Sequence, residues 1–321
     1  MTQVLLTGAF GNVGSATIEE LLKKGYDVTT FDLNNRRNRN TARKYRKRIE
    51  CIWGDLRNRE DLILAITSKD AVIHVGGIIP PIADVRPKLT EQVNVGGTEN
   101  IVSIIKDYSP NTKLIFTSSI SVYGDRVRNP FIKKTDPFTP NQGDAYANSK
   151  IKAEKIIQES GIKYAIFRLA AIIPTTFTLD PLMFHYPLKT SFETCDPRDV
   201  GLALANAVEN EEILNGAYLI GGGEKCRKSY KEFMEDLLEI VGLGRKLLPT
   251  EAFATEGAHC GYLDTEESQR KLKYQRFSLR DFYNSVKKRF WSIKFFIWMC
   301  RPAIRHYLLN KSEFYLKNHK K

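Results

Sequence analysis

Three glycines spaced by three, Gly8, Gly11 and Gly14, stand between an apolar run, Val4-Leu5-Leu6, and a stretch whose apolar residues recur with helical spacing. The chain must therefore leave a strand, turn within a few residues and start a helix. At such a junction the first glycine permits the tight turn, the second lets backbone approach a pyrophosphate, and the third lets the helix pack closely on the sheet. A diphosphate then meets backbone N–H groups and the positive end of the helix. Gly8, Phe10, Gly11, Asn12, Val13 and Gly14 are accordingly candidate contacts to a dinucleotide. Glycine-rich turns are common in α/β proteins, so the loop needs support from the rest of the chain.

Asp32 supplies some of it. It closes the next apolar run, Tyr26 to Phe31, about twenty residues after the glycines, where a carboxylate can accept from both ribose hydroxyls of adenosine. That favours NAD. Arg36, Arg37 and Arg39 follow closely, and an arginine there suits a 2′-phosphate, so NADP stays as the alternative.

Tyr146 and Lys150 are four apart and project from one face of a helix, one turn from each other. An ammonium and the positive nicotinamide ring both favour the phenolate, which predicts a tyrosine pKa pulled toward neutrality and a phenol that exchanges a proton with an alcohol or carbonyl. Upstream, Lys113 to Phe116 reads as a buried strand running into Thr117-Ser118-Ser119, which puts hydroxyls at a carboxyl end of the sheet, where ligands bind in such folds.

Candidate strands at 3–7, 26–32, 49–53, 70–75, 112–117 and 163–168 are separated by helical patterns at 12–24, 58–67, 88–107 and 144–160. This alternation predicts an α/β fold, a Rossmann-type doubly wound parallel sheet. After position 168, helices near 197–209, 229–241 and 278–289 and a short strand at 217–220 point to a smaller C-terminal substrate lobe. The expected division is a dinucleotide-binding domain over 1–170 with some later segments returning to it, a substrate lobe over 171–289, and a basic amphipathic extension over 290–321.

Taken together these marks resemble the extended short-chain dehydrogenase/reductase family, also called the NAD-dependent epimerase/dehydratase family, over most of residues 1–285. Besides the glycine loop, Asp32 and the Tyr146/Lys150 pair, the resemblance is carried by Gly54-Asp55-Leu56, His74-Val75-Gly76-Gly77, Asn94-Val95-Gly96-Gly97-Thr98, Ser119-Ile120-Ser121-Val122-Tyr123-Gly124, Arg168-Leu169-Ala170-Ala171 and Asp196-Pro197-Arg198-Asp199-Val200. It implies that Ser119 is the catalytic serine, that Tyr146 is the acid/base, and that Lys150 holds the ribose and the tyrosine. It also implies that Asp55 and Leu56 contact adenine, that Val75, Gly76 and Asn94 line the cofactor with Thr117 near it, and that helices around 88–107 and 144–160 form a homodimer surface.

Two departures narrow the reaction. The family's sugar-nucleotide dehydratases carry Thr-Asp-Glu just after the serine position, whereas Ile120-Ser121 stands here, which disfavours dehydration. The stretch from Pro174 to Asp196 is short where the sugar-nucleotide enzymes usually have a long insert. Its apolar residues, Phe177, Leu179, Leu182, Met183, Phe184, Tyr186, Leu188 and Phe192, either wall a pocket for a small or hydrophobic substrate or form ordinary core.

The formal net charge of +12 is concentrated. Residues 286–321 hold ten Lys or Arg against one acid, Glu313, and residues 36–48 hold eight bases and no acid, so the remainder is net acidic. No basic face spreads over the fold and no nucleic-acid partner is expected; 36–48 reads first as a solvated surface loop and second as a phosphate or anionic-lipid contact. Residues 290–300 combine two Trp and three Phe. Broken by Lys294 and Arg301-Pro302, they fall short of the roughly twenty apolar residues a bilayer span needs. The alternatives are a peripheral membrane contact through 287–311, with Lys287, Lys288, Arg289, Arg301, Arg305 and Lys311 facing anionic lipid, or a helix docked on its own domain or on a partner subunit. Five scattered cysteines without a Cys-x-x-Cys pair, five histidines without ligand spacing, and a first apolar run that leads into the glycine loop point to a reducing cytoplasm, no signal peptide and no metal.

The expectation is thus a cytoplasmic NAD(P)-dependent oxidoreductase that interconverts an alcohol and a carbonyl on a small or hydrophobic substrate. The alternatives are a nucleotide-sugar epimerase with tightly held NAD, and a non-catalytic dinucleotide-binding sensor or scaffold, against which the intact Ser119, Tyr146 and Lys150 argue.

Overall fold

The computed structural model describes residues 1–173, 180–257 and 259–319. In chain order its strands are β1 (Gln3–Thr7), β2 (Asp27–Asp32), β3 (Glu50–Trp53), β4 (Ala71–His74), β5 (Lys113–Ser119), β6 (Phe131–Ile132), β7 (Tyr164–Leu169), β8 (Ala171–Ile172), β9 (Ser191–Cys195), β10 (Gly216–Ile220), β11 (Arg227–Ser229) and β12 (Tyr262–Leu263). Seven of them form one sheet in the order β10-β7-β5-β4-β1-β2-β3, and every neighbouring pair is parallel. Alternate residues feed two cores. Val4, Leu6, Ile73, Ile115 and Phe167 pack on one face; Leu5, Val72, Leu114 and Ile166 pack on the other. Strands covered on both faces have no polar side, which is why they read in the sequence as unbroken apolar runs.

The expected doubly wound α/β architecture is present, and the short strand expected at 217–220 pairs with β7 at the edge of the main sheet. Residues 36–48 differ from the loop expected there. Arg36–Ala42 is a helix, started by Asn35, whose side chain accepts from the Asn38 N–H at 2.9 Å. The helical stretch expected at 88–107 is real but contains a π-helical turn, Glu91–Gly96, which carries Asn94. Such turns re-aim side chains within a helix.

Helix Ala145–Glu159 carries Tyr146 and Lys150. It is fastened to β7 by a buried ion pair in which Arg168 Nη2 donates to Glu154 at 2.7 Å, while Arg168 Nη1 donates to the Tyr123 hydroxyl at 2.6 Å. Losing either partner would strand a buried charge, so the helix is held at a fixed height against the carboxyl ends of the strands.

A second lobe is built on β11-β9-β8 and the helix Tyr230–Val241. Of the described apolar residues of 180–196, Met183, Phe184 and Phe192 are buried in its core, and Tyr186 and Leu188 pack against it. Phe177 and Leu179 lie outside the described residues.

Candidate active site

The carboxyl ends of β1, β2, β4 and β5 open into a cleft of about 1410 Å³ that continues to the second lobe. It lies where the strand order reverses between β1 and β4, the switch point at which doubly wound sheets bind ligands. Gly8 turns the chain there with φ +64°, and a Cβ on it would stand 2.5 Å from the Gly76 Cα; one on Gly14 would stand 2.3 Å from the Gly8 carbonyl oxygen. Packing of chain on chain therefore fixes both glycines. At Gly11 the nearest neighbour of such a Cβ is the Gly8 oxygen at 3.5 Å, an ordinary contact. What its bareness leaves open is the cleft and the start of helix Asn12–Lys23.

Phe10, Asn12, Val13, Asp32, Asp55, Leu56, Val75, Gly76 and Thr117 join the glycines on the cleft wall. The Asp32 carboxylate accepts from the N–H groups of Phe10 (3.0 Å) and Leu33 (2.8 Å) and from the Asn38 amide (2.9 Å). Burial raises its pKa and the two N–H bonds lower it. Asp55 is clasped by Arg57, whose Nη2 donates at 2.6 Å, and this holds the carboxyl below its usual range.

Asn94 does not line the cleft. Its amide is spent one layer behind, accepting from the Ile78 N–H at 2.7 Å and donating to the Ile78 carbonyl and the Ser149 hydroxyl, both at 2.9 Å. It shapes the wall from behind. His74, also behind the wall, bonds Thr7 Oγ1 at 2.7 Å through Nδ1, and burial pushes its pKa down to about 3, so it stays neutral.

Ser119, Tyr146 and Lys150 meet on the same wall. The Ser119 hydroxyl hydrogen-bonds the Tyr146 phenol, which favours the phenolate; burial outweighs this and pushes the phenol up to about 12. Lys150 Nζ donates to the Thr117 carbonyl at 2.8 Å and lies 5.8 Å from the centre of the Tyr146 ring. Burial pulls its own pKa down to about 8. The expected neutral-range tyrosine is therefore not a property of this helix by itself, because desolvation acts against it.

Other residues share this wall, some of them without any signal in the sequence. Ser118 is buried with a hydroxyl that has no hydrogen-bond partner among the described residues, next to the catalytic candidates. Arg37 and Asn38 stand beside Asp32. At the far end the cleft is lined by the polar Asp84, Asn141, Gln142, Asp144, His185 and His259 and by apolar residues that include Pro81, Val85, Ile172, Leu182 and Tyr186. His259 Nδ1 is 4.0 Å from Asp144 Oδ2. Burial and the Asp144 charge raise the Asp84 carboxyl. His185 is backed edge-on by Phe314 at 5.5 Å. A pair of acids and a pair of imidazoles drawn from four segments leave no spacing to recognise.

A model of the NAD dependent epimerase/dehydratase family matches residues 4–178, more than half of the chain. The chain belongs to this family. It is 25% identical over 236 residues to CDP-paratose 2-epimerase of Salmonella typhi, covering 70% of this chain and 69% of that one. To the decarboxylating sterol-4-alpha-carboxylate 3-dehydrogenase of Mus musculus it is 29% identical over 167 residues, 52% of this chain but only 43% of the relative. A dTDP-glucose 4,6-dehydratase of Streptomyces venezuelae, solved with NAD and TYD bound, superposes with a TM-score of 0.78 at 20% identity, over 92% of this chain and 99% of that one. At that identity the likeness is one of fold. Family members thus differ in substrate, and the site must decide.

Proposed function

We propose that this chain is an NAD-dependent oxidoreductase that interconverts a secondary alcohol and a carbonyl. The supporting observation is that Ser119, Tyr146 and Lys150 share one wall with a glycine cradle in which Gly11 has only cleft beyond it. NAD suits that cradle: Gly8 to Gly14 would hold its diphosphate, Asp32 its adenosine ribose and Lys150 its nicotinamide ribose. When bound there, it supplies the hydride acceptor or donor. Tyr146 Oη moves a proton to or from the substrate oxygen, and Ser119 Oγ holds that oxygen by a hydrogen bond. Lys150 Nζ, anchored on the Thr117 carbonyl, keeps positive charge beside the phenol and lowers the barrier to its ionisation.

The far end of the cleft supports a polar, hydroxyl-rich substrate, since Asp84, Asn141, Gln142, Asp144, His185 and His259 offer it donors and acceptors beside the apolar Val85, Leu182 and Tyr186. A nucleotide-sugar epimerase is the second reading, favoured by the relatives. Against it, Arg37, Arg57 and Lys150 are the cations of the described wall; two stand beside Asp32 and Asp55 and the third at the tyrosine, leaving none for a second diphosphate. The experiment is to incubate purified protein with NAD and a panel of polyols, sugars, hydroxysteroids and UDP-sugars while reading absorbance of the reduced cofactor. Net reduction with a polyol or sugar that disappears in Tyr146→Phe is expected. Isomerised UDP-sugar without net reduction would select the epimerase, and no turnover with any of them would reject the polar-substrate reading.

A further inference from the structure

Helix Leu279–Phe290 begins with a full capping box, Ser278 and Asp281, and runs outward to Lys287-Lys288-Arg289 in its last turn. Beyond it, the short helix Lys294–Met299 has no buried residue. Seven of the fifteen exposed large hydrophobic side chains of the described residues fall within 291–307, among them Trp291 (77% exposed), Phe295 and Phe296 (64% each) and Trp298 (58%). Single exposed apolar residues are ordinary, but a row of aromatics on one short segment is not.

The segment is not loose chain. Its opposite side is seated on the second lobe: Ile297 and Ile304 pack against that core, and Leu308 and Leu309 are buried in it. Arg305 Nε donates to the Leu247 carbonyl at 2.9 Å, and Ser312 Oγ donates to the Ala252 carbonyl at 2.6 Å. Docking on its own domain therefore accounts for one side, while the same segment turns Phe295, Phe296, Trp298 and Met299 to solvent. The rings of Phe295 and Trp298 lie 6.0 Å apart, their planes inclined by 29°. Lys287, Lys288, Arg289 and Lys294 are exposed around them.

We infer that this face is a docking surface for an anionic lipid bilayer. The charge argues for that occupant: ten Lys or Arg against one acid from 286 onward, on a chain that is otherwise net acidic outside residues 36–48. A second copy of the same face would bring like charges together. Indole and phenyl rings seat at headgroup depth, and basic residues beside them meet the negative surface potential. Among the described residues no helix is long and apolar enough to cross a membrane, so the contact lies in the interface plane, held by a seat that already fixes its orientation.

The test is co-sedimentation of the full chain with vesicles of phosphatidylcholine alone and of phosphatidylcholine with phosphatidylglycerol in equal parts. Pelleting with the anionic vesicles and not the neutral ones is expected. Replacing Lys287, Lys288 and Arg289 by Gln should weaken partitioning roughly a hundredfold at low salt, at about tenfold or less per residue, and added salt should do likewise. Replacing Trp291, Phe295, Phe296 and Trp298 by Ser, all exposed and outside the cleft, should abolish pelleting while dehydrogenase turnover and thermal midpoint stay unchanged. No pelleting of the parent chain, or equal pelleting of the four-Ser variant, overturns the inference. So does a concentration-dependent dimer in sedimentation velocity that the four-Ser variant loses without any vesicle binding, since the face would then belong to a second copy.

Discussion

At the end of the cleft that starts with Gly8, the wall is chiefly backbone: a turn, a helix start, and the Gly76 strand end approaching within contact. At the end that reaches the second lobe, it is chiefly side chain, with Asp84, Asn141, Gln142, Asp144, His185 and His259 arriving on four segments. A backbone wall is rigid and indifferent to most side-chain changes, but it fails when a Cβ is added. A side-chain wall tolerates single changes and sets what is recognised. One end therefore suits a ligand shared by many proteins, and the other suits a ligand particular to this one.

The largest effect separating the ends is expected at Gly11. Gly11→Val fills the cradle without disturbing chain-on-chain packing, so NAD should no longer raise the thermal midpoint, a loss of about 2.7 kcal/mol at a hundredfold excess over Kd, while the midpoint without NAD is preserved. A variant that still responds to NAD would show that the cradle is not the diphosphate site. Tyr146→Phe comes next: kcat should fall about 10²- to 10⁴-fold with the cofactor response intact, measured by cofactor absorbance and melting in parallel.

Lys150→Met should also lose turnover, yet gain stability. The folded-state pKa is depressed to about 8 from 10.5. Between these values the unfolded chain binds more protons than the folded one, so stability rises with pH across that window, and below it the buried ammonium is a burden. The variant should exceed the parent by up to about 3 kcal/mol at pH 7, with the gap closing as pH climbs from 8 to 10.5. Denaturant titrations at both extremes check the sign; a variant less stable at pH 7 would refute it.

At the other end, Asp84→Asn and His259→Gln should each change kcat/KM by about tenfold while leaving NAD-induced stabilisation unchanged, because they touch only the substrate half. A change in NAD response instead would erase the distinction between the ends. Smallest is Arg37→Ala. It should lower NADP binding about fivefold, with NAD binding unaffected because Asp32 carries the ribose contact. Equal weakening of both would place Arg37 on the diphosphate.

The two ends also differ in how far they could be read in advance. Gly8, Gly14, Asp32, Tyr146 and Lys150 were legible because turn sterics and helical repeat act within a few residues. Asn94 was expected beside the cofactor from the resemblance alone; the π turn of Glu91–Gly96 and the Ile78 backbone hold its amide behind the wall, which no local spacing announces. The apolar run through Met183, Phe184 and Phe192 allowed both pocket and core, and packing under helix Tyr230–Val241 chose core. Asp84, Asp144 and His259 gave no pattern, since what unites them is proximity alone. The protonation of Tyr146 was also beyond reach, because burial is a tertiary quantity and here it outweighs the favourable bond from Ser119.

By itself the sequence determined the parallel sheet, the cradle, the one-turn spacing of phenol and ammonium, and the basic aromatic segment near its end, all of which follow from forces between near neighbours. Only the tertiary structure decided which side chains meet at the substrate end, which aromatics of 290–309 seat inward and which face outward, and how far each titratable group is removed from water. Those depend on distant segments competing for the same space, and no local spacing records the outcome.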